Sequence, residues 1–161
     1  MEQTRTQLPE IMLIGITART SNISEMDQST AKIGTTVQQY FHNELSTKIP
    51  HRINPNTTYC VYTDYESDFN GNYTYFIGEE VDSLDDLPEG FVALTIPLQN
   101  YTKFTNGPGP MPEVCIDIWK NVWADRELDT KRNYIADFEI YDERASDHSK
   151  VVLDIYIGIK S

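Results

Sequence analysis

The segment IADFEIYD, residues 135–142, places the carboxylates of Asp137 and Glu139 among apolar and aromatic side chains and ends at Asp142. Isoleucine, phenylalanine and tyrosine favour a pleated surface, so the segment is predicted to form a β-strand. Side chains alternate between the two faces of a strand. The face suited to a core would carry Tyr134, Ala136, Phe138 and Ile140, and the opposite face would carry Ile135, Asp137, Glu139 and Tyr141.

Glu139 is the residue of this strand whose position has two interpretations. Its face is either open to water, so that Glu139 is a solvated charge, or lines a pocket in which the carboxylate has a function. Asp137 on the same face favours the solvated interpretation. Burying Glu139 is costly unless another group pairs with it. A tyrosine hydroxyl could do so in an empty pocket, and a cationic ligand would then complete the pair.

Aromatic residues are the second chemical feature, with ten tyrosines, six phenylalanines and two tryptophans. Trp119 and Trp123 lie one helical turn apart on a face predicted to be buried. Any single aromatic residue of this kind is most often part of a core. Together with an inward carboxylate, however, aromatic faces attract organic cations by roughly 0.5–2 kcal/mol each.

Other motifs that carry chemistry are absent from the sequence. There is no CxxC or HExxH pattern, and His42, His51 and His148 are scattered, so no metal site is predicted. There is also no GxGxxG pattern, no Walker pattern and no GxSxG elbow. We therefore predict no cofactor, no metal and no catalytic residue.

The overall composition limits the class of protein. A chain of 161 residues fits one domain, or two small halves that share a core. Its formal charge of −12 would repel phosphate backbones, so direct nucleic-acid binding is not expected. No segment has the pattern of a secretory signal or a membrane span. We therefore expect a cytoplasmic protein without membrane contact, whose two cysteines, Cys60 and Cys115, are reduced.

The elements that must position Glu139 fall into two series. Apolar residues recur every four positions from Ile33 to Ile49, and Met111 to Trp123 shows a second helical stripe. The first series is predicted to be a strand at 11–20, a helix at about 26–48, and strands at 58–66 and 72–81. The second is predicted to be strands at 91–97 and 100–105, a helix from about Pro112, and strands at about 133–142 and 150–160.

Both series have the order strand, helix, strand, strand. The sequence therefore predicts an α+β fold of two βαββ units, residues 11–81 and 91–160, within a single domain of residues 1–161. If the two sheets join edge to edge, a groove lies between the halves and is flanked by both helices. Such junctions are frequent sites for small ligands.

These residues resemble a known family, the gyrase-inhibitor-like effector-binding domain, which is also the ligand-binding part of AraC-type and MerR-type multidrug-responsive regulators. The shared motifs are the spacing of Pro97, Tyr101 and Phe104, a Gly-Pro before a tryptophan-rich helix, the FExY strand and the closing strand DIYIGIK. The hairpin YCVYTDYESDFNGNYTYFIGEEV is similar to that of the family's first half. The resemblance spans nearly the whole chain.

The resemblance implies two βαββ units related by a pseudo-twofold axis, with an aromatic pocket between them for bulky cationic or amphipathic compounds. It places Glu139 at the floor of the pocket. Aligning VYTDY with FEIYD puts Tyr62 opposite Glu139, and Tyr75 faces it across the hairpin if the register is simple. The predicted ligand-binding residues are Glu139, Tyr141, Trp119, Trp123, Tyr62 and Tyr75.

The leading functional hypothesis is a small-molecule-binding protein for hydrophobic cationic compounds. An alternative is a hydrolase, since some relatives of this fold are hydrolases and a desolvated glutamate can act as a general base. Another is a protein-interaction module whose partner is a transcription regulator or DNA gyrase. No helix-turn-helix precedes the first predicted strand, so we expect a stand-alone binding domain.

Overall fold

The computed structural model describes residues 1–161 as an α+β fold with one antiparallel sheet of eight strands and four α-helices. The strands are β1 (Glu2–Leu8), β2 (Ile11–Ser21), β3 (Thr58–Thr63), β4 (Asn72–Glu80), β5 (Val92–Ile96), β6 (Gln99–Gly109), β7 (Arg132–Tyr141) and β8 (Val151–Ile159). The helices are α1 (Asn22–Glu25), α2 (Ile33–His42), α3 (Glu113–Ala124) and α4 (Arg126–Lys131).

The strand order β1-β6-β8-β7-β3-β4-β2-β5 has two equivalent halves. Strands β3, β4 and β2 follow one another outward from the centre on one side, and β7, β8 and β6 do so on the other. The two halves join where β3 pairs with β7. This arrangement confirms the predicted α+β fold with paired βαββ units.

The outermost strands are exchanged between the halves. Strand β1 precedes β2 in the chain but pairs with β6, and β5 precedes β6 but pairs with β2. Because β1 forms at Glu2–Leu8, the expectation that the first strand begins near residue 11 is wrong. Strand β1 is mostly exposed and its sequence EQTRTQL is polar, so it carries no apolar alternation by which it could be predicted.

The helix predicted over residues 26–48 is shorter in the structure. Helix α2 begins at Ile33, because the Glu25 carboxylate accepts hydrogen bonds from the backbone N–H groups of Lys32 and Ile33. It ends at His42, and Glu44 then adopts a left-handed conformation with φ of 50°. A separate 3-10 helix covers Leu45–Lys48. The sequence stripe is thus divided among two elements.

The second predicted helix is also divided in two. Helix α3 ends at Ala124, and Asp125 caps α4 by accepting a hydrogen bond from the Leu128 N–H at 2.9 Å. Strand β7 departs from simple alternation at its start. Tyr134 has a φ of 53°, and the pairing of β7 with β8 is irregular between Arg132 and Asp137. Tyr134 is consequently not the core residue that alternation predicts.

The core lies on both faces of the sheet. Helix α2 packs on β2 and β4, and α3 packs on β6 and β8, which gives one apolar cluster per half. A third cluster, on the face away from the helices, contains only strand residues such as Phe76, Tyr101 and Phe138. None of the helices combines the length and the hydropathy that crossing a membrane requires.

Candidate functional site

The central pair of strands determines the position of Glu139. In the register of β3 and β7, Cys60 lies directly across from Glu139 and Tyr62 lies directly across from Asp137. All four side chains share the helix-covered face of the sheet, since cross-strand partners point to the same side. Tyr62 is therefore diagonal to Glu139, close enough for an aromatic side chain to contact it.

Glu139 is buried, with 3% of its surface exposed, and neutral groups surround its carboxylate. The Tyr62 hydroxyl and the Trp119 indole N–H donate hydrogen bonds to Oε2 at 2.9 and 2.7 Å. The Tyr141 hydroxyl donates to Oε1 at 2.6 Å. The Cys115 thiol lies 3.5 Å from Oε2. The interpretation of Glu139 as a solvated charge is therefore wrong.

The groups around Glu139 remain protonated and act as donors. Burial, followed by the negative charge of Glu139, raises the pKa of the Tyr62 and Tyr141 hydroxyls well above their ordinary value. The same two causes raise the pKa of the Cys115 thiol. No lysine, arginine or histidine forms an ion pair with Glu139. Within the protein, the charge of Glu139 is therefore stabilised by hydrogen bonds from neutral groups and not by an ion pair.

Glu139 lines a cavity of about 850 Å³ between the two halves, which we call the Glu139 cavity. Its walls come from α2, from β3 and β7, and from the residues around the start of α3. Tyr62, Tyr75 and Tyr141 are among the lining residues, and the Tyr62 and Tyr75 rings meet edge to face at 5.4 Å. The structure thus brings together the predicted residues Glu139, Tyr141, Tyr62 and Tyr75.

The predicted tryptophans have different positions. Trp119 is 9% exposed and contacts Glu139 through its indole N–H. Trp123 is 55% exposed, so its placement on a buried helix face is wrong. It lies against a smaller cavity of about 170 Å³ rather than the Glu139 cavity. Trp119 and Trp123 both line this smaller cavity, and of the two only Trp119 also donates a hydrogen bond to Glu139.

Several cavity residues were not among the predicted site residues. Ile33, Val37 and Phe41 of α2 belong to the helical stripe seen in the sequence, but they line the Glu139 cavity. Phe41 is exposed, whereas a residue of a stripe that faces a closed core would be buried. Cys60 and Cys115 also line the cavity: the register of β3 against β7 places Cys60 beside Glu139, and α3 brings the Cys115 thiol to it.

A comparison with protein-family models matches residues 6–159 to the family described as integron-associated effector binding protein. The chain belongs to this family. The resemblance to the gyrase-inhibitor-like effector-binding domain is thereby confirmed. Among related proteins, a putative transcriptional regulator of Bacillus subtilis, YobU, is 30% identical over 148 residues, which cover 91% of this chain and 90% of that protein.

Solved structures of other proteins share the fold. An integron cassette protein of Vibrio cholerae, VCH_CASS2, superposes with a TM-score of 0.78 at 29% identity, over 98% of this chain and 95% of that one. The protein SAV2435 bound to tetraphenylphosphonium also gives a TM-score of 0.78, at 17% identity, over 100% of this chain and 95% of that one.

Proposed function

We propose that this effector-binding protein binds hydrophobic organic cations in the Glu139 cavity, with the Glu139 carboxylate as counter-charge. The observation that carries the proposal is a buried carboxylate on the wall of an aromatic cavity, with neutral donors and no ion-pair partner. A cation entering the cavity would supply the opposite charge that the protein itself does not.

The charges that line the cavity favour a cation over an anion. Glu139, Asp142 and Glu143 all line it, and no lysine or arginine does. Asp142 forms an ion pair with Arg144 at 2.9 Å, whereas Glu143 and Glu139 form none. The formal charge of −12 adds a negative field over the whole molecule, which would concentrate cations near its surface.

The size and the lining of the cavity favour a bulky aromatic or aliphatic compound. A volume of about 850 Å³ lies within the range of pockets that bury small organic ligands. The tyrosine rings at its walls would attract a cation by roughly 0.5–2 kcal/mol each through their quadrupoles. SAV2435, which has the same fold, binds tetraphenylphosphonium, a large aromatic cation of this class.

Calorimetric titration with tetraphenylphosphonium tests the proposal. Wild-type protein is expected to bind, and Glu139→Gln to bind roughly thirtyfold more weakly, because truncating a buried charge partner costs about 2 kcal/mol or more. Glu143→Gln is the matched control, since it removes the same charge from an exposed residue of the same cavity. We expect its effect to stay below about threefold.

Two outcomes would contradict the proposal. One is absence of binding by the wild-type protein to tetraphenylphosphonium and to other aromatic cations. The other is equal weakening by Glu139→Gln and Glu143→Gln, because a general field effect would then replace the specific counter-charge. Circular dichroism of each variant confirms that the fold is retained before affinities are compared.

A further inference from the structure

We propose a second ligand site, for an uncharged aromatic ring that carries one hydrogen-bond acceptor, in the 170 Å³ cavity beside Trp123. This Trp123 cavity lies next to the Glu139 cavity, because Ile33 and Tyr62 line both. Most of its other walls are aromatic: Tyr65, Phe69, Tyr73, Trp119 and Trp123. The site does not depend on cation binding by Glu139.

Arg132 is the polar group that identifies this cavity as a site. It lines the cavity and is 4% exposed, and its Nε is buried without an acceptor in the protein. One terminal nitrogen of its guanidinium pairs with Asp137 at 2.6 Å, and the guanidinium carbon lies 4.3 Å from the centre of the Tyr134 ring. A buried donor without a partner costs roughly 1–3 kcal/mol, which a ligand acceptor could recover.

The other polar groups that line the Trp123 cavity already have hydrogen-bond partners. Glu25 accepts hydrogen bonds from the Thr20 hydroxyl and from two backbone N–H groups. Asn22 donates to the Phe69 carbonyl and accepts from the Tyr73 hydroxyl. The hydroxyls of Tyr62 and Tyr65 donate to carboxylates. Of the buried polar atoms in the residues that line the Trp123 cavity, Arg132 Nε alone has no hydrogen-bond partner.

These contacts define the chemical class of the ligand. An apolar cavity of about 150 Å³ is large enough for benzene, so about 170 Å³ admits a single substituted ring. Asp137 already balances the charge of Arg132, and Glu25 lies nearby, so a second anion is disfavoured. An aryl ketone meets each condition, since it offers a ring and one uncharged acceptor.

The test uses acetophenone and α-methylstyrene, which differ in a carbonyl oxygen against a methylene group. Calorimetry gives the ratio of their dissociation constants for wild type and for Arg132→Lys, which keeps the charge beside Asp137 but lacks the Nε–H. We expect the preference for the ketone to fall roughly tenfold in the variant, as for loss of a hydrogen bond to a charged donor. An unchanged ratio overturns the proposal.

Crystals soaked with 4-bromoacetophenone locate the site independently of whether Arg132→Lys folds. The anomalous signal of bromine is expected between Trp123 and Tyr73, with the carbonyl oxygen within hydrogen-bonding distance of Arg132 Nε. Bromine found only in the Glu139 cavity, or nowhere, overturns the proposal. Glu139→Gln should leave acetophenone affinity unchanged while weakening tetraphenylphosphonium, so failure of this site and failure of the cation site are distinguishable.

Discussion

Asp137 and Glu139 lie two residues apart on one face of β7, and both are buried, yet their surroundings differ. Asp137 is fully buried and pairs with Arg132 at 2.6 Å, while the Gly158 N–H and the Tyr65 hydroxyl also donate to it. Glu139 receives hydrogen bonds from neutral groups only and faces a cavity. One carboxylate has its cation within the protein, and the other does not.

The difference separates a structural charge from a charge available for binding. The charge of Asp137 is balanced wherever the chain is folded, so it contributes to the fold and offers nothing to a ligand. Glu139 is stabilised well enough by neutral donors to remain buried while the cavity is empty. Since hydrogen bonds do not neutralise it, a cationic ligand still gains from pairing with it.

The largest effect should follow removal of the cation that balances Asp137. Arg132→Met leaves a buried carboxylate without its partner and is expected to lower the free energy of unfolding by roughly 3–5 kcal/mol. Urea denaturation followed by circular dichroism measures this loss. The control is Lys131→Met, which breaks an exposed pair with Glu127 and should cost less than about 1 kcal/mol. Similar losses in both variants would contradict the role assigned to the Arg132–Asp137 pair.

A smaller effect should follow removal of one neutral donor from Glu139. Tyr141→Phe keeps the ring but removes a hydrogen bond to a carboxylate, so unfolding free energy should fall by roughly 1.5–3 kcal/mol in the ligand-free protein. Affinity for tetraphenylphosphonium should rise, because the ligand then supplies more of the missing stabilisation. Denaturation and calorimetry measure the two changes.

The control is the Tyr141→Phe substitution made in the Glu139→Gln variant. There the Tyr141 hydroxyl no longer donates to a charge, so Tyr141→Phe should cost about 1 kcal/mol or less. An equal cost in both backgrounds would mean that Tyr141 stabilises the protein by packing rather than through Glu139.

A still smaller change in stability should follow neutralisation of Glu139 itself. Glu139→Gln removes a buried charge that has no ion-pair partner, and the amide can still accept from Trp119 and Tyr62 while donating to the Tyr141 oxygen. Unfolding free energy should therefore change by less than about 1 kcal/mol, in contrast to Arg132→Met. A loss as large as that of Arg132→Met would remove the distinction between the two carboxylates.

The smallest effect is expected at Trp123. Because Trp123 lines the smaller cavity, Trp123→Phe should change the tetraphenylphosphonium dissociation constant by less than about twofold. Calorimetry is the appropriate measurement, since the substitution also removes a fluorophore. A loss of tenfold or more would show that the cation extends past Tyr62 into the Trp123 cavity.

Much of the architecture could be predicted from the sequence, because apolar periodicity identifies α2, α3 and most strands. The different surroundings of Asp137 and Glu139 could not be predicted from the sequence. Simple alternation gives both residues the same face and suggests the same solvation. The positive φ of Tyr134 and the irregular pairing that follows bring Arg132 next to Asp137, and no sequence pattern encodes that turn.

The residues that line the Glu139 cavity could also be predicted only in part from the sequence. The α2 stripe is visible in the sequence, but periodicity cannot separate a side chain packed in a core from one that faces a cavity, as Phe41 does. Cys60 and Cys115 are distant in sequence, and both lie beside Glu139 only because β3 pairs with β7 and α3 brings Cys115 to the same carboxylate. Glu139 itself was indicated by family resemblance, since its position within the strand left both interpretations open.

The most direct test of the central claim compares phenyltrimethylammonium with tert-butylbenzene, which have nearly the same shape and differ in charge. Calorimetry gives the ratio of their dissociation constants for wild type and for Glu139→Gln. If Glu139 is the counter-charge, the preference for the cation should fall roughly thirtyfold in the variant. The same ratio in both proteins would show that the cavity recognises shape and apolar surface alone.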